Sequence, residues 1–210
     1  WSGAVRSGKT IASLLRWLIY VASAPTGGAL IVSGKTLDTV WRNVFGPLMD
    51  PAITGPAAAH IHYTRGASSA TILGRYIEIV TANDARAEEK LRGMTAAGAY
   101  VDEITVLPEP FFAQMLARIS VPGAKLFGTT NPDNPTHWLK VDVLDRAADL
   151  DIATWHFELT DNPSLSDDYK RQIIAENVGM WRDRFILGLW VAGSGAIYSM
   201  FDRDRHLVPD

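Results

Sequence analysis

The chain has 210 residues, of which 47% are hydrophobic and 20% charged, and its formal net charge is −3. These values are typical of a single folded protein with a sizeable core, and they exclude disordered, collagen-like and coiled-coil proteins. Because the chain has no cysteine and a slightly acidic balance, we also exclude disulfide scaffolds, thiolate chemistry and a protein-wide basic field for nucleic acid. The longest apolar run, around residues 11–24, is interrupted by Arg16 and too short to span a bilayer, so we expect a soluble, intracellular protein.

Up to about residue 160, helical and strand-like patterns alternate along the chain. Helical patterns predict helices at residues 10–23, 36–49, 108–119 and 142–148, and a short polar helix is expected at residues 84–91. Short apolar or alternating runs predict strands at residues 29–33, 99–101, 124–128 and 151–159, with two or three more between residues 61 and 81. The alternation predicts an α/β fold with a mostly parallel central sheet flanked by helices.

The pattern changes after Asp161-Asn162-Pro163. Two further helices are predicted at residues 166–178 and 180–188, the first with Ser166 as its N-cap, and an irregular glycine-rich segment follows. We therefore divide the chain into a core, residues 1–160, and a small helical appendage, residues 161–210.

A phosphate-binding motif lies at the start of the chain. Residues 3–10, Gly-Ala-Val-Arg-Ser-Gly-Lys-Thr, match every fixed position of G-x-x-x-x-G-K-[ST]. In such a loop, backbone N–H groups surround phosphate oxygens, and the positive end of the following helix adds to the attraction. Lys9 is expected to reach the β- and γ-phosphates and Thr10 to bind Mg²⁺. The alternative is a glycine turn beside a solvated lysine.

Two adjacent carboxylates, Asp102 and Glu103, end a second apolar stretch. Successive side chains of a strand point to opposite faces, so the two can have different tasks. An aspartate at the end of a core strand can hold the hydration shell of Mg²⁺ beside Thr10. A neighbouring glutamate can orient and deprotonate the attacking water. The alternative is a solvated acidic turn.

Small polar residues follow the next predicted strand. Thr129, Thr130 and Asn131 come directly before Pro132. Hydroxyl and amide groups at such a strand end can contact a γ-phosphate and respond to its loss. An ordinary capped turn remains the alternative.

With these three elements in this order, the chain resembles the ATPase domain of the large terminase subunit of tailed bacteriophages. That family belongs to the P-loop ATPases with an additional strand and a catalytic glutamate. The resemblance covers essentially the whole chain. It also rests on four further segments, at residues 91–93 (Leu-Arg-Gly), 160–163 (Thr-Asp-Asn-Pro), 188–191 (Gly-Leu-Trp-Val) and 197–202 (Ile-Tyr-Ser-Met-Phe-Asp).

The resemblance implies a motor that hydrolyses ATP with Mg²⁺ and drives double-stranded DNA into a viral procapsid in the host cell cytoplasm. It implies a homo-oligomeric ring that works with a portal protein and a small terminase subunit, and no membrane. The implied nucleotide-binding residues are Gly3, Arg6, Ser7, Gly8, Lys9, Thr10, Thr129, Thr130 and Asn131. The implied metal ligands are Thr10 and Asp102.

The catalytic residues that the resemblance implies are Glu103, Arg6 and Arg92. Arg6 would be the basic residue that the family has inside its phosphate loop. Arg92 lies where the family has an arginine proposed to act on the nucleotide of a neighbouring subunit. The alternative for both is a solvated surface cation.

The chain also departs from the family pattern. Only Trp1 and Ser2 precede the motif, so we expect the first strand before the phosphate loop, and the adenine-binding segment, to be missing. We interpret Asp202 and Asp204 as linker charges and expect no nuclease activity from this chain, because a nuclease needs acidic residues around two metals. The alternatives are a helicase or other DNA-remodelling P-loop ATPase, a nucleoside or nucleotide kinase, and a non-catalytic fragment.

Overall fold

The computed structural model describes residues 1–83 and 87–192. The strands are β1 (Ser2–Gly3), β2 (Ala29–Gly34), β3 (Ile61–His62), β4 (Ser69–Ile72), β5 (Arg75–Thr81), β6 (Ala96–Val101), β7 (Lys125–Gly128) and β8 (His156–Phe157). The α-helices are α1 (Lys9–Ser23), α2 (Leu37–Val40), α3 (Gly46–Leu48), α4 (Pro51–Thr54), α5 (Ala87–Arg92), α6 (Glu109–Arg118), α7 (Asp167–Glu176) and α8 (Met180–Phe185). Two π-helical segments, Trp41–Phe45 and Leu139–Leu144, and three 3₁₀ segments, Gly55–His60, Ile104–Val106 and Leu159–Asp161, complete the helical structure described.

Six strands form one sheet in the order β3-β4-β5-β2-β6-β7. The strands from β5 to β7 are parallel, whereas β3, β4 and β5 form an antiparallel meander at one edge. β1 and β8 pair in parallel, and a bridge from Ser2 to Thr130 attaches this pair beyond β7. β7 therefore lies between β6 and β1. The prediction of a mostly parallel sheet flanked by helices is confirmed.

Helices cover both faces of the sheet. Leu30 and Val32 of β2 face a cluster that includes Trp17 of α1, while Ile31 faces a second cluster that includes Phe111 of α6. All six residues of β6 are buried, as expected for a central parallel strand covered on both sides. The third, smaller cluster contains Ala4, Leu159 and Ile186 and packs the C-terminal segment against the phosphate loop.

Most element predictions agree with the structure, and the differences have physical reasons. β6 begins at Ala96, three residues before the predicted start. The sequence does not indicate these extra residues because alanine and glycine have weak strand propensity, although the positions are buried. The helix expected at 142–148 is instead the π-helical segment Leu139–Leu144, and the acidic stretch after it forms turns. The strand expected at 151–159 is limited to β8, because its partner β1 is only two residues long.

The expectation that no strand precedes the phosphate loop is wrong. Ser2 and Gly3 form β1, which has neighbours on both sides. The Ser2 amide donates to the carbonyl of Trp155, and the Thr130 amide donates to the carbonyl of Trp1. Two residues are enough for a strand here because β8 and the end of β7 both offer backbone partners.

The C-terminal helices α7 and α8 contain no buried residue. The Ser166 side chain accepts a hydrogen bond from the Tyr169 amide, so the predicted N-cap of α7 is confirmed.

The division at residue 160 stays a prediction. The glycine-rich segment from residue 193, with Asp202 and Asp204, lies outside the described residues, as do residues 84–86 of the helix predicted at 84–91. Within residues 1–83 and 87–192, no helix combines the length and apolar character that crossing a bilayer requires.

Candidate active site

The three sequence motifs meet at one edge of the sheet. β1 leads into the phosphate loop, β6 ends at Asp102, and β7 leads into Thr129. Carboxyl ends of parallel strands lie at the same edge, which is where ligands bind in open α/β sheets. The order of the strands brings residues that are more than 90 positions apart in the sequence, such as Lys9 and Asp102, into one cleft.

The phosphate loop has the backbone conformation of an anion cradle. Gly8 precedes α1 with a φ of 87°, in the left-handed region where a glycine carries no steric cost. At Gly3, a Cβ atom would lie 2.1 Å from the carbonyl oxygen of Phe157, so only glycine allows β1 to approach β8 this closely. The Ser7 hydroxyl is buried and has no hydrogen-bond partner among the residues described.

Lys9 lies inside this cradle and is 6% exposed. Its ammonium donates to the carbonyl of Ala4 at 3.0 Å and to Oδ1 of Asn131 at 2.5 Å. Burial lowers the pKa of Lys9 to about 8, while the neighbouring carboxylates of Glu103 and Asp102 act in the opposite direction. The ammonium of Lys9 is therefore a cation that water solvates only partly.

Asp102 is 2% exposed, and both of its carboxylate oxygens have donors. Oδ1 accepts a hydrogen bond of 3.0 Å from the Thr129 hydroxyl, and Oδ2 accepts one of 2.8 Å from the side-chain amide of Asn43. Burial raises the pKa of Asp102, and these two hydrogen bonds and the charge of Lys9 lower it. Asp102 is thus a fixed carboxylate at the end of β6.

Glu103 follows with a φ of 50°, so the chain turns sharply directly after Asp102. Its backbone amide donates to the Thr129 hydroxyl at 3.2 Å, and its Oε1 accepts a hydrogen bond of 3.4 Å from the side-chain Nδ2 of Asn131. Burial, followed by the charge of Asp102, raises the pKa of Glu103. A half-buried carboxylate with a raised pKa has the properties of a general base.

The three residues after β7 do not all face the cleft. Thr129 and Asn131 contact Asp102, Glu103 and Lys9, as described above. The hydroxyl of Thr130 instead donates to the Thr105 hydroxyl at 3.1 Å, on the side where the Thr130 amide bonds Trp1.

The two predicted arginines lie outside this group of contacts. Arg6 is exposed, and its guanidinium donates to the Tyr169 hydroxyl of α7 and lies 5.5 Å from the centre of the Tyr169 ring. The Asn162 side chain also donates to the Arg6 carbonyl at 2.7 Å. Arg92 is exposed in the last turn of α5, and its guanidinium has no hydrogen bond or ion pair within residues 1–83 and 87–192.

Two contributors to the site escaped the sequence analysis. Asn43 was hidden in a run read only for its apolar spacing, although a polar residue between Trp41 and Val44 was a usable signal. Tyr100 lies in the apolar strand predicted at residues 99–101, where a tyrosine normally indicates packing. Its hydroxyl lies 2.9 Å from Oγ of Ser13, which donates to the carbonyl of Thr10, so a buried hydrogen-bond chain connects β6 to the start of α1. No sequence signal connects these distant positions.

The chain is similar in sequence and in structure to the large subunits of phage terminases. A family model described as the N-terminal part of the T4likevirus-type terminase large subunit matches residues 1–205. The large terminase of a thermophilic bacteriophage, in complex with ADP, has 34% identity and a TM-score of 0.81, over 99% of this chain and 52% of that chain. The same protein in complex with ATP-gamma-S has 32% identity and a TM-score of 0.76, over 99% and 51%. No curated protein matches this chain.

A more distant structure shares the fold alone. The large terminase of bacteriophage HK97 has 15% identity and a TM-score of 0.55, over 87% of this chain and 40% of that chain. This chain spans about half the length of the thermophilic phage terminase that it matches. The chain belongs to the family of T4likevirus-type terminase large subunits, whose N-terminal part it matches.

Proposed function

We propose that this chain is the Mg²⁺-dependent ATPase module of a motor that drives double-stranded DNA into a viral procapsid. One observation carries the proposal. Asn131 joins the lysine of the phosphate loop to Glu103, with 2.5 Å from its Oδ1 to Nζ of Lys9 and 3.4 Å from its Nδ2 to Oε1 of Glu103. A phosphate-binding cation and a candidate base therefore share one cleft.

The residues of the cleft fit a nucleotide with Mg²⁺. The Ser7 hydroxyl is a buried polar atom without a partner among the described residues, and Lys9 is a buried cation. Phosphate oxygens would satisfy both. Solved relatives in this family are complexes with ADP and with ATP-gamma-S. Thr10 and Asp102 offer the hydroxyl and carboxylate oxygens that hold Mg²⁺, which when bound would neutralise phosphate charge.

Each side chain then has a distinct task. Glu103 takes a proton from the water that attacks the γ-phosphate, and its raised pKa makes it a better base than an exposed glutamate. Lys9 neutralises the charge that develops on the phosphate oxygens. No covalent enzyme intermediate is needed, because water is the nucleophile. Thr129, hydrogen-bonded to both Asp102 and the Glu103 amide, is placed to respond when phosphate leaves.

The motor role extends the proposal to partners. We propose a homo-oligomeric ring in the host cell cytoplasm that acts on double-stranded DNA with a portal protein and a small terminase subunit. In this ring Arg92 would act on the nucleotide of a neighbouring subunit, which agrees with its exposed position on α5. Residues 161–210 would form the helical linker, and nuclease activity is not expected from this chain.

Glu103→Gln tests the proposal. The amide keeps the shape of the side chain but cannot accept the proton, so we expect ATP hydrolysis to fall at least ~100-fold while ATP-gamma-S binding is retained. Glu109→Gln, at the exposed start of α6, is the matched control and leaves both unchanged. Hydrolysis by Glu103→Gln near the wild-type rate, or a wild-type chain that does not bind ATP with Mg²⁺, contradicts the proposal.

A further inference from the structure

We propose that Asn43 is a positioning residue that holds Asp102 in the orientation required for the metal of the metal–nucleotide complex. The inference rests on the proposed function, because it concerns the same cleft. Its basis is the 2.8 Å hydrogen bond from Nδ2 of Asn43 to Oδ2 of Asp102, which joins residues 59 positions apart.

The backbone around Asn43 is arranged to make this contact. Residues Trp41–Phe45 form a π-helical segment within an otherwise α-helical run, and π-helical turns recur at functional sites because they redirect side chains. Val44 and Phe45 are fully buried, so the segment is anchored in the core on one side. Asn43, half-buried, extends from the anchored segment to the end of β6.

Gly34, the last residue of β2, lies close to both this helical run and Asp102. A Cβ atom at Gly34 would lie 3.0 Å from Cγ2 of Val40 and 3.8 Å from Cβ of Asp102. The helical run after β2 therefore packs directly against Gly34, which also neighbours the Cβ atom of Asp102. A side chain at position 34 would press on Val40, three residues before Asn43, so glycine allows the run that carries Asn43 to pack this close to the end of β2.

The two donors together fix the carboxylate plane. Thr129 occupies one site on Oδ1 and Asn43 one site on Oδ2, whereas an ionised carboxylate has about four acceptor sites. Two acceptor sites remain for a metal-bound water or the metal itself. Without Asn43 the carboxylate keeps only Thr129 among the described residues and can rotate about its last bond. Partners behind a metal ligand of this kind typically change metal affinity about 10- to 100-fold.

The experiment measures metal dependence rather than turnover alone. ATP-gamma-S binding is titrated by calorimetry at stepped Mg²⁺ concentrations and in EDTA for the wild-type chain and Asn43→Leu. Leucine has the same branched shape, although it is larger, and it has no donor. We expect the Mg²⁺ concentration for half-maximal tightening to rise about tenfold or more, with metal-free affinity unchanged. Asn43→Gln retains an amide and recovers part of the affinity.

Asn177→Leu is the matched control, because among the described residues the Asn177 side chain donates only to the carbonyl of Ile173, at the end of α7. Thermal unfolding and circular dichroism check that each variant folds, and Asn43→Ala replaces the leucine variant if that one does not. An unchanged Mg²⁺ requirement, or an equal loss of metal-free and metal-dependent binding, overturns the inference and leaves the proposed function intact. A wild-type chain without Mg²⁺-dependent binding overturns both.

Discussion

The ammonium of Lys9 donates a 2.5 Å hydrogen bond to Oδ1 of Asn131, which lies 122 residues further along the chain. The bond closes the cleft between the phosphate loop and the end of β7. A phosphate group that reaches Lys9 has to compete with this amide oxygen. Because Asn131 also contacts Glu103 through its Nδ2, release of Lys9 changes the surroundings of the candidate base.

Asn131→Ala removes the contacts of Asn131 with both Lys9 and Glu103, and we expect the first loss to affect nucleotide binding and the second to affect the rate of hydrolysis. Loss of the amide removes the side-chain donor that orients Glu103, and one such hydrogen bond is worth about 1 kcal/mol, so we expect kcat for ATP hydrolysis to fall roughly fivefold. ATP-gamma-S binding should stay the same or tighten, because Lys9 is no longer occupied. Steady-state ATPase assays and calorimetry check both. Asn134→Ala, at an exposed turn, is the control, and an unaltered kcat in Asn131→Ala contradicts the expectation.

The lowered pKa of Lys9 predicts that nucleotide binding takes up protons. In the free protein burial lowers the pKa to about 8, so the lysine is partly neutral at pH 8.5. Bound phosphate favours the charged form and raises the pKa, so binding above pH 8 draws in up to about one proton. Affinity should accordingly weaken as pH rises through 8.

Calorimetry in buffers of different ionisation enthalpy measures this uptake directly. At pH 8.5 the apparent binding enthalpy of ATP-gamma-S should vary with the buffer. The same titration at pH 6.5 is the control for this lysine, because Lys9 is then already protonated and contributes no uptake. Equal uptake at both pH values would show that Lys9 is not its source.

Gly188→Ala should disturb the contact between the C-terminal segment and the phosphate loop. Gly188 has a φ of 66°, and a Cβ atom there would lie 2.5 Å from the Ala4 nitrogen and 2.7 Å from Cα of Gly3. Gly74 has a similar φ of 75° but open space around its Cα, so Gly74→Ala is the control for backbone strain. We expect Gly188→Ala to lower the free energy of unfolding in urea by about 1–3 kcal/mol more than the control. Equal losses would contradict this account.

The contact between Arg6 and Tyr169 should stabilise α7 through the aromatic ring. An exposed cation–π pair contributes about 0.5–1 kcal/mol, so Tyr169→Ala should speed hydrogen exchange in α7 about two- to fivefold. Tyr169→Phe keeps the ring and should remain near the wild-type rate. Tyr76→Ala, at an exposed tyrosine of β5, serves as the control. If the phenylalanine variant exchanges as fast as the alanine variant, the hydroxyl rather than the ring is responsible.

Local patterns in the sequence were sufficient to predict the framework. The helix α1 and the Ser166 cap depend on spacing and chemistry within a few residues, and both appear in the structure. The parallel arrangement follows from alternating helices and strands. The motif residues Lys9 and Asp102 share a cleft because Asp102 follows β6 of the sheet and Lys9 follows β1, which is bridged to the edge of that sheet.

Features that depend on distant or irregular contacts were not predictable in the same way. The π-helical segment that presents Asn43 has no periodic signature, since a single widened turn leaves the apolar spacing almost unchanged. The Ser13–Tyr100 pair joins residues 87 positions apart, and a tyrosine in an apolar strand normally indicates packing. The extent of β8 depends on the two-residue length of its distant partner β1, which residues 151–159 alone do not reveal.

Because β7 lies between β6 and β1, its register with β6 determines whether the residues that follow it meet their partners in the cleft. β7 has four residues, and Gly128 lies opposite Val101 in its register with β6. A shift of one residue moves a strand about 3.3 Å and turns each side chain to the other face. Thr129 would then leave Asp102, and the Thr130 backbone would lose its match with Trp1. The relative positions of the cleft residues therefore depend on the four-residue pairing between β6 and β7. Mutations that weaken this pairing should lower the rate of ATP hydrolysis before they lower the stability of the fold.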